Sequence, residues 1–387
     1  MKKWKVAVAF VLLSAFLVSA IPANAAEWII QKIETKYHDI KIIIDGEEIV
    51  PKDVDGTIVE PFVIDGTTYV PLRAIGEAFG KEVKWDSDTA TVYIDTPDEP
   101  VYRPDPPPTP GNNIEVATVE ELFDAIAPDT CIILKAGQYD ISSVVDSESD
   151  YAYWRDDELE MDEKTLVISG VEGLMLQAAP GADVEIVTPW RYAEVLAFSQ
   201  CNGVSLIGIK AGHSVTGEYE CDAGVVAFED SYHIYIDDCL FYGCGAIGIT
   251  LTDCVVAQIS DTTVTDCSLR AIDIFESYDA TFSNCKFNDN RAYGCVINGS
   301  TSSVEFTDCE IKGNKNLLWS VVEFFGESYV LFENCVFQDN ALTDASEEEE
   351  LVFNGQWFHL RDCEIELSNF SGYWDGGVVD HGGNVLK

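Results

Sequence analysis

Phe282-Ser283-Asn284-Cys285-Lys286-Phe287 decides the fold, because the chain repeats it. Earlier copies are Ile236-Asp237-Asp238-Cys239-Leu240-Phe241 and Ile259-Ser260-Asp261-Thr262-Thr263-Val264. Later copies are Phe306-Thr307-Asp308-Cys309-Glu310-Ile311, Phe332-Glu333-Asn334-Cys335-Val336-Phe337 and Leu360-Arg361-Asp362-Cys363-Glu364-Ile365. Their fourth positions are spaced by 23, 23, 24, 26 and 28 residues. A period in the twenties, built from short β stretches and polar turns, is that of a β-solenoid coil. A leucine-rich repeat would need helical stretches and a Leu/Asn consensus, and neither is present. A looser copy, Leu206-Ile207-Gly208-Ile209, precedes the series.

The first, fourth and sixth positions of each phrase are mostly apolar or Cys and should point inward. Coils about 4.8 Å apart stack like residues into columns. One column reads Cys239, Thr262, Cys285, Cys309, Cys335, Cys363; five residues on, another reads Cys244, Cys267, Asn290, Asn314, Asn340. Stacked Asn amides bond along the axis and to the backbone, fixing register. The chain has twelve cysteines. Side chains of one column point the same way at a spacing beyond the ~3.5–4.5 Å of a bridge, so the thiols should be free and buried. No His joins the columns, which argues against metal there.

Thr118 with Glu121 forms a capping box ahead of Val119, Leu122, Phe123 and Ile126 on one helical face. Such a helix covers the open end of a solenoid core. Residues 97–113 form a Pro-rich spacer between two domains. Before it, residues 27–96 read as a small α+β unit. Lys41–Ile49 and Phe62–Val70 have hairpin grammar, Pro71–Gly80 is a short helix, and Val83–Trp85 and Thr89–Ile94 are strands. At the N-terminus, Lys2, Lys3 and Lys5, the apolar run Val6–Ala20 and Ala23-Asn24-Ala25 read as a secretory signal over residues 1–26 rather than an anchor. The protein is therefore expected to be secreted or held at the cell surface, with no membrane span after cleavage.

Asp65-Gly66-Thr67-Thr68-Tyr69-Val70-Pro71-Leu72-Arg73, with Val83-Lys84-Trp85-Asp86, resembles the copper amine oxidase-like N-terminal (stalk) domain of bacterial surface proteins. Copper is not expected in it: its one His, His38, lies outside the motif, and the segment has no Cys or Met. The repeat domain, residues 114–387, resembles over residues about 114 to 370 the right-handed parallel β-helix superfamily that includes pectate lyases and polygalacturonases. The expected fold class is thus mainly β, a right-handed parallel β-helix preceded by a small stalk domain. Asp237-Asp238-Cys239 resembles a polygalacturonase motif, but no Gly-His-Gly or Arg-Ile-Lys follows, which puts hydrolysis below lyase chemistry.

The formal charge of -45 disfavours nucleic acid, and it would repel a polyanionic glycan unless Ca²⁺ or a basic patch intervened. Counting eleven residues back from each repeat position aligns Phe228, Leu251, Ile274, Asn298 and Phe324, and their immediate predecessors Ala227, Thr250, Asp273, Ile297 and Glu323 should form an outward row. Within a lyase, Arg270 is the candidate base, and Asp273, Glu276 and Glu323 are the candidate Ca²⁺ ligands. Tyr151, Tyr153 and Trp154 lie in an insertion, and with Trp190 and Tyr192 they are candidate sugar-stacking rings. The preferred reading is a surface protein whose β-helix engages a polysaccharide or cell-wall glycan without a demonstrated reaction. The alternatives are a Ca²⁺-dependent polysaccharide lyase and a structural or adhesive role.

Overall fold

The computed structural model of the chain describes residues 40–44, 47–52, 57–64, 67–79, 81–86, 91–95, 110–145, 147–156, 163–215, 223–243, 245–318, 320–343, 351–355, 358–367, 372–375 and 377–387. The expected signal segment, most of the Pro-rich spacer and Cys244 lie outside the described residues. The chain divides into two compact units, Met1–Tyr102 and Arg103–Lys387.

In the first unit, Ile42–Ile44 pairs with Glu47–Ile49, Phe62–Ile64 with Thr67–Tyr69, and Glu82–Asp86 with Thr91–Asp95, all antiparallel. A helix spans Leu72–Ala78 behind Pro71, whose φ of -64° is already helical. Phe62 and Tyr69 stack across their hairpin at 5.5 Å.

The second unit is a parallel β-helix with three faces. The first face is a ten-stranded sheet running from Ala152–Asp156 to Gly372–Asp375. The second has eleven strands, from Asn112–Val116 to Val378–Asp380, and the third has ten, from Gly137–Asp140 to Val385–Leu386. Each regular coil adds one strand to each face. The strand Ala152–Asp156 is the exception, pairing antiparallel to Lys164–Ser169 as an added edge.

The corners explain the repeated phrase. Asp238, Asp261, Asn284, Asp308, Asn334 and Asp362 all have φ between +49° and +56°. This left-handed conformation turns the chain, and Asp and Asn tolerate it better than other side-chain-bearing residues. The next residue is the inward column member. Its Sγ donates weakly to a carbonyl of the preceding coil, as from Cys309 to Phe282 at 3.4 Å and from Cys335 to Phe306 at 3.4 Å. The other two corners use the same device with better acceptors. Cys254 N–H donates to Ser277 Oγ at 3.0 Å, and Ser277 N–H to Ser302 Oγ at 3.2 Å. Cys267 N–H donates to Asn290 Oδ1, and Asn290 N–H to Asn314 Oδ1, each at 3.0 Å. Between corners, Phe282, Phe306 and Phe332 stack at 4.9 and 4.7 Å, the coil spacing itself.

A helix at Val119–Asp124 covers the N-terminal end of this core. Thr118 Oγ1 accepts from Glu121 N–H at 3.3 Å, and Glu121 Oε2 accepts from Ala117 N–H at 2.7 Å. Ten described cysteines are buried and unbridged. Burial pushes the Cys239 thiol up to about 12, so it stays neutral and slow to oxidise.

Two outcomes are expected. In unreduced protein, at least those ten thiols should stay silent to a thiol reagent when native and react once denatured; a count near zero would show disulfides instead. Asn314→Ala should cost about 2–4 kcal/mol, read by denaturant unfolding, because it takes from Asn290 N–H its acceptor and from Phe287 C=O its amide donor in a site with no water access. A change within experimental error would show that the Asn ladder does not set the register.

Candidate functional site

On the first face, strand pairing sets one outward row in register. Tyr153, Val167, Ala197, Ala227, Thr250, Asp273, Asn298, Glu323 and Asn354 stand successively opposite one another. Their chain neighbours Leu196, Phe198, Ile272, Ile274, Val322 and Phe324 belong to the interior cluster, so the row itself points away from the core. Even so, Val167 is 0% exposed, Ala197 3%, Asp273 3%, Asn298 7% and Glu323 5%. The row is a recessed floor of small and polar residues.

The constant count of twelve residues back from the repeat position places Ile297 in this row, but the structure puts Asn298 there. The strands Tyr232–Asp237, Val255–Ser260 and Tyr278–Ser283 each carry a bulge-like residue at positive φ, namely His233, Val256 and Asp279. Ser303–Thr307 has none and is one residue shorter than Tyr278–Ser283. In the following coil the corner is longer by a residue, with Gly326 at φ +70°, and the count is restored.

The corrected register changes the chemistry. Asn298 Nδ2 donates to Asp273 Oδ1 at 2.9 Å, and Asn354 Nδ2 donates to Glu323 Oε1 at 2.8 Å. Carboxylates and amides alternate. Asp273 and Glu323 are held two strands apart, and Glu276 sits exposed at a corner with φ +49°. Among the described residues no three His, Cys, Asp or Glu side chains group as a metal site, so the proposed Ca²⁺ trio does not converge.

Arg270 Nη1 pairs with Asp273 Oδ2 at 3.1 Å. Burial alone would loosen the guanidinium proton, but the charge of Asp273 and contact with Cys295 outweigh it and hold the proton more tightly than usual. That shift opposes the role of general base. Burial pushes the Asp273 carboxyl above its ordinary value, against the pull of Arg270 and Asn298. The Cys295 thiol is raised well above its usual range by burial, then by the charge of Glu323. Arg270 Nε and Ser320 Oγ are buried without a protein partner. Cys295 and Ser320 lack any local motif, and only the strand register links them to Arg270.

The five rings divide. Tyr153 is exposed and heads the row. Trp154 packs edge-on to Trp190 at 6.4 Å and donates its indole N–H to Ser147 C=O at 3.2 Å. Tyr151 and Trp154 pack against the core as part of its cover. Tyr192 is half-buried, its backbone N–H held by Glu163. Two exposed rings were not singled out from sequence. Tyr293 leads into the strand Ile297–Ser300, and Phe325 follows Glu323 on the same outward side. Within the edge strand, Arg155 pairs with Glu194 at 2.9 Å.

Residues 223–385 match the right-handed β-helix region family. The larger unit is a right-handed β-helix. Residues 31–102 match the copper amine oxidase N-terminal domain. No curated protein is similar to the sequence. Among solved structures, an alginate lyase from Paenibacillus sp. str. FPU-7 is 10% identical, covering 71% of this chain and 97% of that one, with a TM-score of 0.46. A pectate lyase from Paenibacillus sp. 0602 is 8% identical over 70% of this chain and 77% of that one, at 0.37. The pectate lyase Pel9A is 11% identical over 70% and 68%, at 0.41. At these scores no activity carries over to this β-helix.

Arg270→Ala should destabilise the β-helix by about 2–4 kcal/mol at neutral pH, because it strands the buried Asp273 charge. The folded-state pKa of Asp273 already lies above its unfolded value, and losing Arg270 raises it further. The penalty should therefore shrink as pH falls and Asp273 takes up its proton, and grow as pH rises. Arg270→Ala with Asp273→Asn should recover most of the loss in urea unfolding. An equal loss in the double variant would show that the pair's charge is not what matters.

Proposed function

We propose that the β-helix is exported and engages an extended polysaccharide along the outward row of its first face, holding the chain without cleaving it. One observation carries this reading. Nine strands keep a single outward row in register for about 38 Å at the coil spacing. Exposed rings lie at its head and along its sides, at Tyr153, Tyr293 and Phe325. Sugar faces stack on such rings, while carboxylates, amides and hydroxyls exchange hydrogen bonds with ring hydroxyls. Thr250 and Asn354 are the more accessible polar members of the row. The buried Asp273, Asn298 and Glu323 shape its floor.

The charge of -45, with Arg270 already neutralised by Asp273, favours a neutral glycan over a polyuronate. Export is supported by the N-terminal signal grammar. No helix among the described residues is long and apolar enough to cross a membrane.

The test is a screen of the mature chain against neutral and uronate glycans from plant and bacterial walls, with and without Ca²⁺, reading retention and unsaturated product together. Retention on a neutral glycan without product is expected. Tyr293→Ala and Phe325→Ala should each weaken it several-fold while leaving unfolding unchanged, since both rings are exposed. Ca²⁺-dependent unsaturated ends would replace this reading with a lyase, and no retention on any glycan would leave the structural or adhesive role.

A further inference from the structure

Two of the five histidines meet on the second face, at the C-terminal end of the helix. His359 lies in the strand Phe358–Arg361, and His381 lies one residue beyond the strand Val378–Asp380. Pairing sets His359 opposite Val379, so His381 is its diagonal neighbour on the adjacent coil. Nδ1 of His359 and Nε2 of His381 are 2.9 Å apart. The rings lie nearly parallel, 18° apart with centroids at 5.2 Å, and Tyr329 backs His359 at 4.6 Å. His359 is half-buried and His381 exposed, so the pair opens to solvent.

The spacing is informative. A metal–imidazole bond of about 2.0–2.1 Å puts two nitrogens about 2.9 Å apart at a right angle, and about 3.3 Å apart at the tetrahedral angle. The observed separation, which an N–H···N hydrogen bond satisfies in the metal-free pair, also fits neighbouring positions on a square or octahedral ion. Hard cations such as Ca²⁺ prefer oxygen ligands, whereas imidazole suits later first-row ions. We propose that His359 and His381 form an open two-ligand surface site for a divalent transition-metal ion of the imidazole-binding class, with water in the remaining positions. Because the two ligands lie on successive coils, a bound ion would also pin the last coil, residues 378–387, to the one before it.

The probe is Ni²⁺, titrated calorimetrically into the untagged full chain with excess Mg²⁺ present to occupy surface carboxylates. One ion per chain is expected. Affinity should fall more than about tenfold in His359→Gln and in His381→Gln. It should be unchanged in His233→Gln, whose exposed ring bonds Asn202 elsewhere on the same face. The melting temperature should rise with Ni²⁺ in the wild type and in His233→Gln alone, and circular dichroism confirms that each variant is folded. Absence of binding would reduce the pair to an N–H···N hydrogen bond. Equal affinity in all three variants would move the ion elsewhere. Either result overturns the site.

Discussion

Axial register is the constraint on which the β-helix depends. Each corner must turn the chain onto the next face in two or three residues and still leave every backbone N–H a partner. The solution pairs a left-handed residue with a side chain that serves the neighbouring coil. Asp, Asn or Gly supplies most of the turns, with Gln200, Glu276 and Thr301 doing so at one corner, and Ser, Thr, Asn or Cys commonly fills the next position. At the serine and asparagine corners, that side chain accepts the N–H of its counterpart one coil back. Cysteine accepts poorly, and there the backbone ladder carries the register, with Glu310 N–H to Cys285 C=O and Val336 N–H to Cys309 C=O, each at 2.9 Å. Small, buried and weakly donating, the thiol fills the corner without adding a polar demand.

Stacking like residues also stacks like charges. Two carboxylates one coil apart repel by roughly 3 kcal/mol at an effective dielectric of 20, and by about half that two coils apart. The chain interleaves amides. At one corner, beyond the adjacent Asp238 and Asp261, the column alternates as Asp261, Asn284, Asp308, Asn334, Asp362, and the Asn284 and Asn334 amides donate to Asp261 and Asp308. The outward row follows the same rule with Asp273, Asn298, Glu323 and Asn354. Part of the -45 charge is therefore a by-product of making corners from Asp.

The phrase, its phase and its columns were legible in the sequence because inward positions repeat residue type as well as hydropathy. Cys309 and Cys335 announce themselves. The outward row was legible only in part. Asp273 and Glu323 were found, but Asn298 was missed, because a bulge deleted in one coil and a corner lengthened in the next leave the total count unchanged. Tyr293 and Phe325 carried no signal, since an exposed ring next to a strand looks like any other until register fixes its side. Trp154 and Tyr151 were ambiguous for the opposite reason. An aromatic insertion reads alike whether it faces outward or into the core, and the antiparallel pairing of Ala152–Asp156 sends alternate side chains outward and inward.

The row also limits its own chemistry. An arginine that is to take a proton needs neighbours that disfavour its charge, whereas Arg270 faces Asp273 at 3.1 Å and lies near the carboxylate row. A carboxylate pair could act instead, and two coil spacings, about 9.6 Å, come close to the roughly 6.5–9.5 Å used when water attacks a glycosidic bond with inversion. Yet Asp273 and Glu323 are each capped by an amide and almost wholly screened from solvent. A general acid must present its proton to the leaving oxygen, and a general base must reach a water. Asp273 Oδ1 and Glu323 Oε1 each accept from an amide of the next coil, and Asp273 Oδ2 is paired with Arg270, so moving either carboxylate toward a substrate would cost a contact between coils. The amide and guanidinium contacts that keep the row in register thus also hold Asp273 and Glu323 in place on its floor.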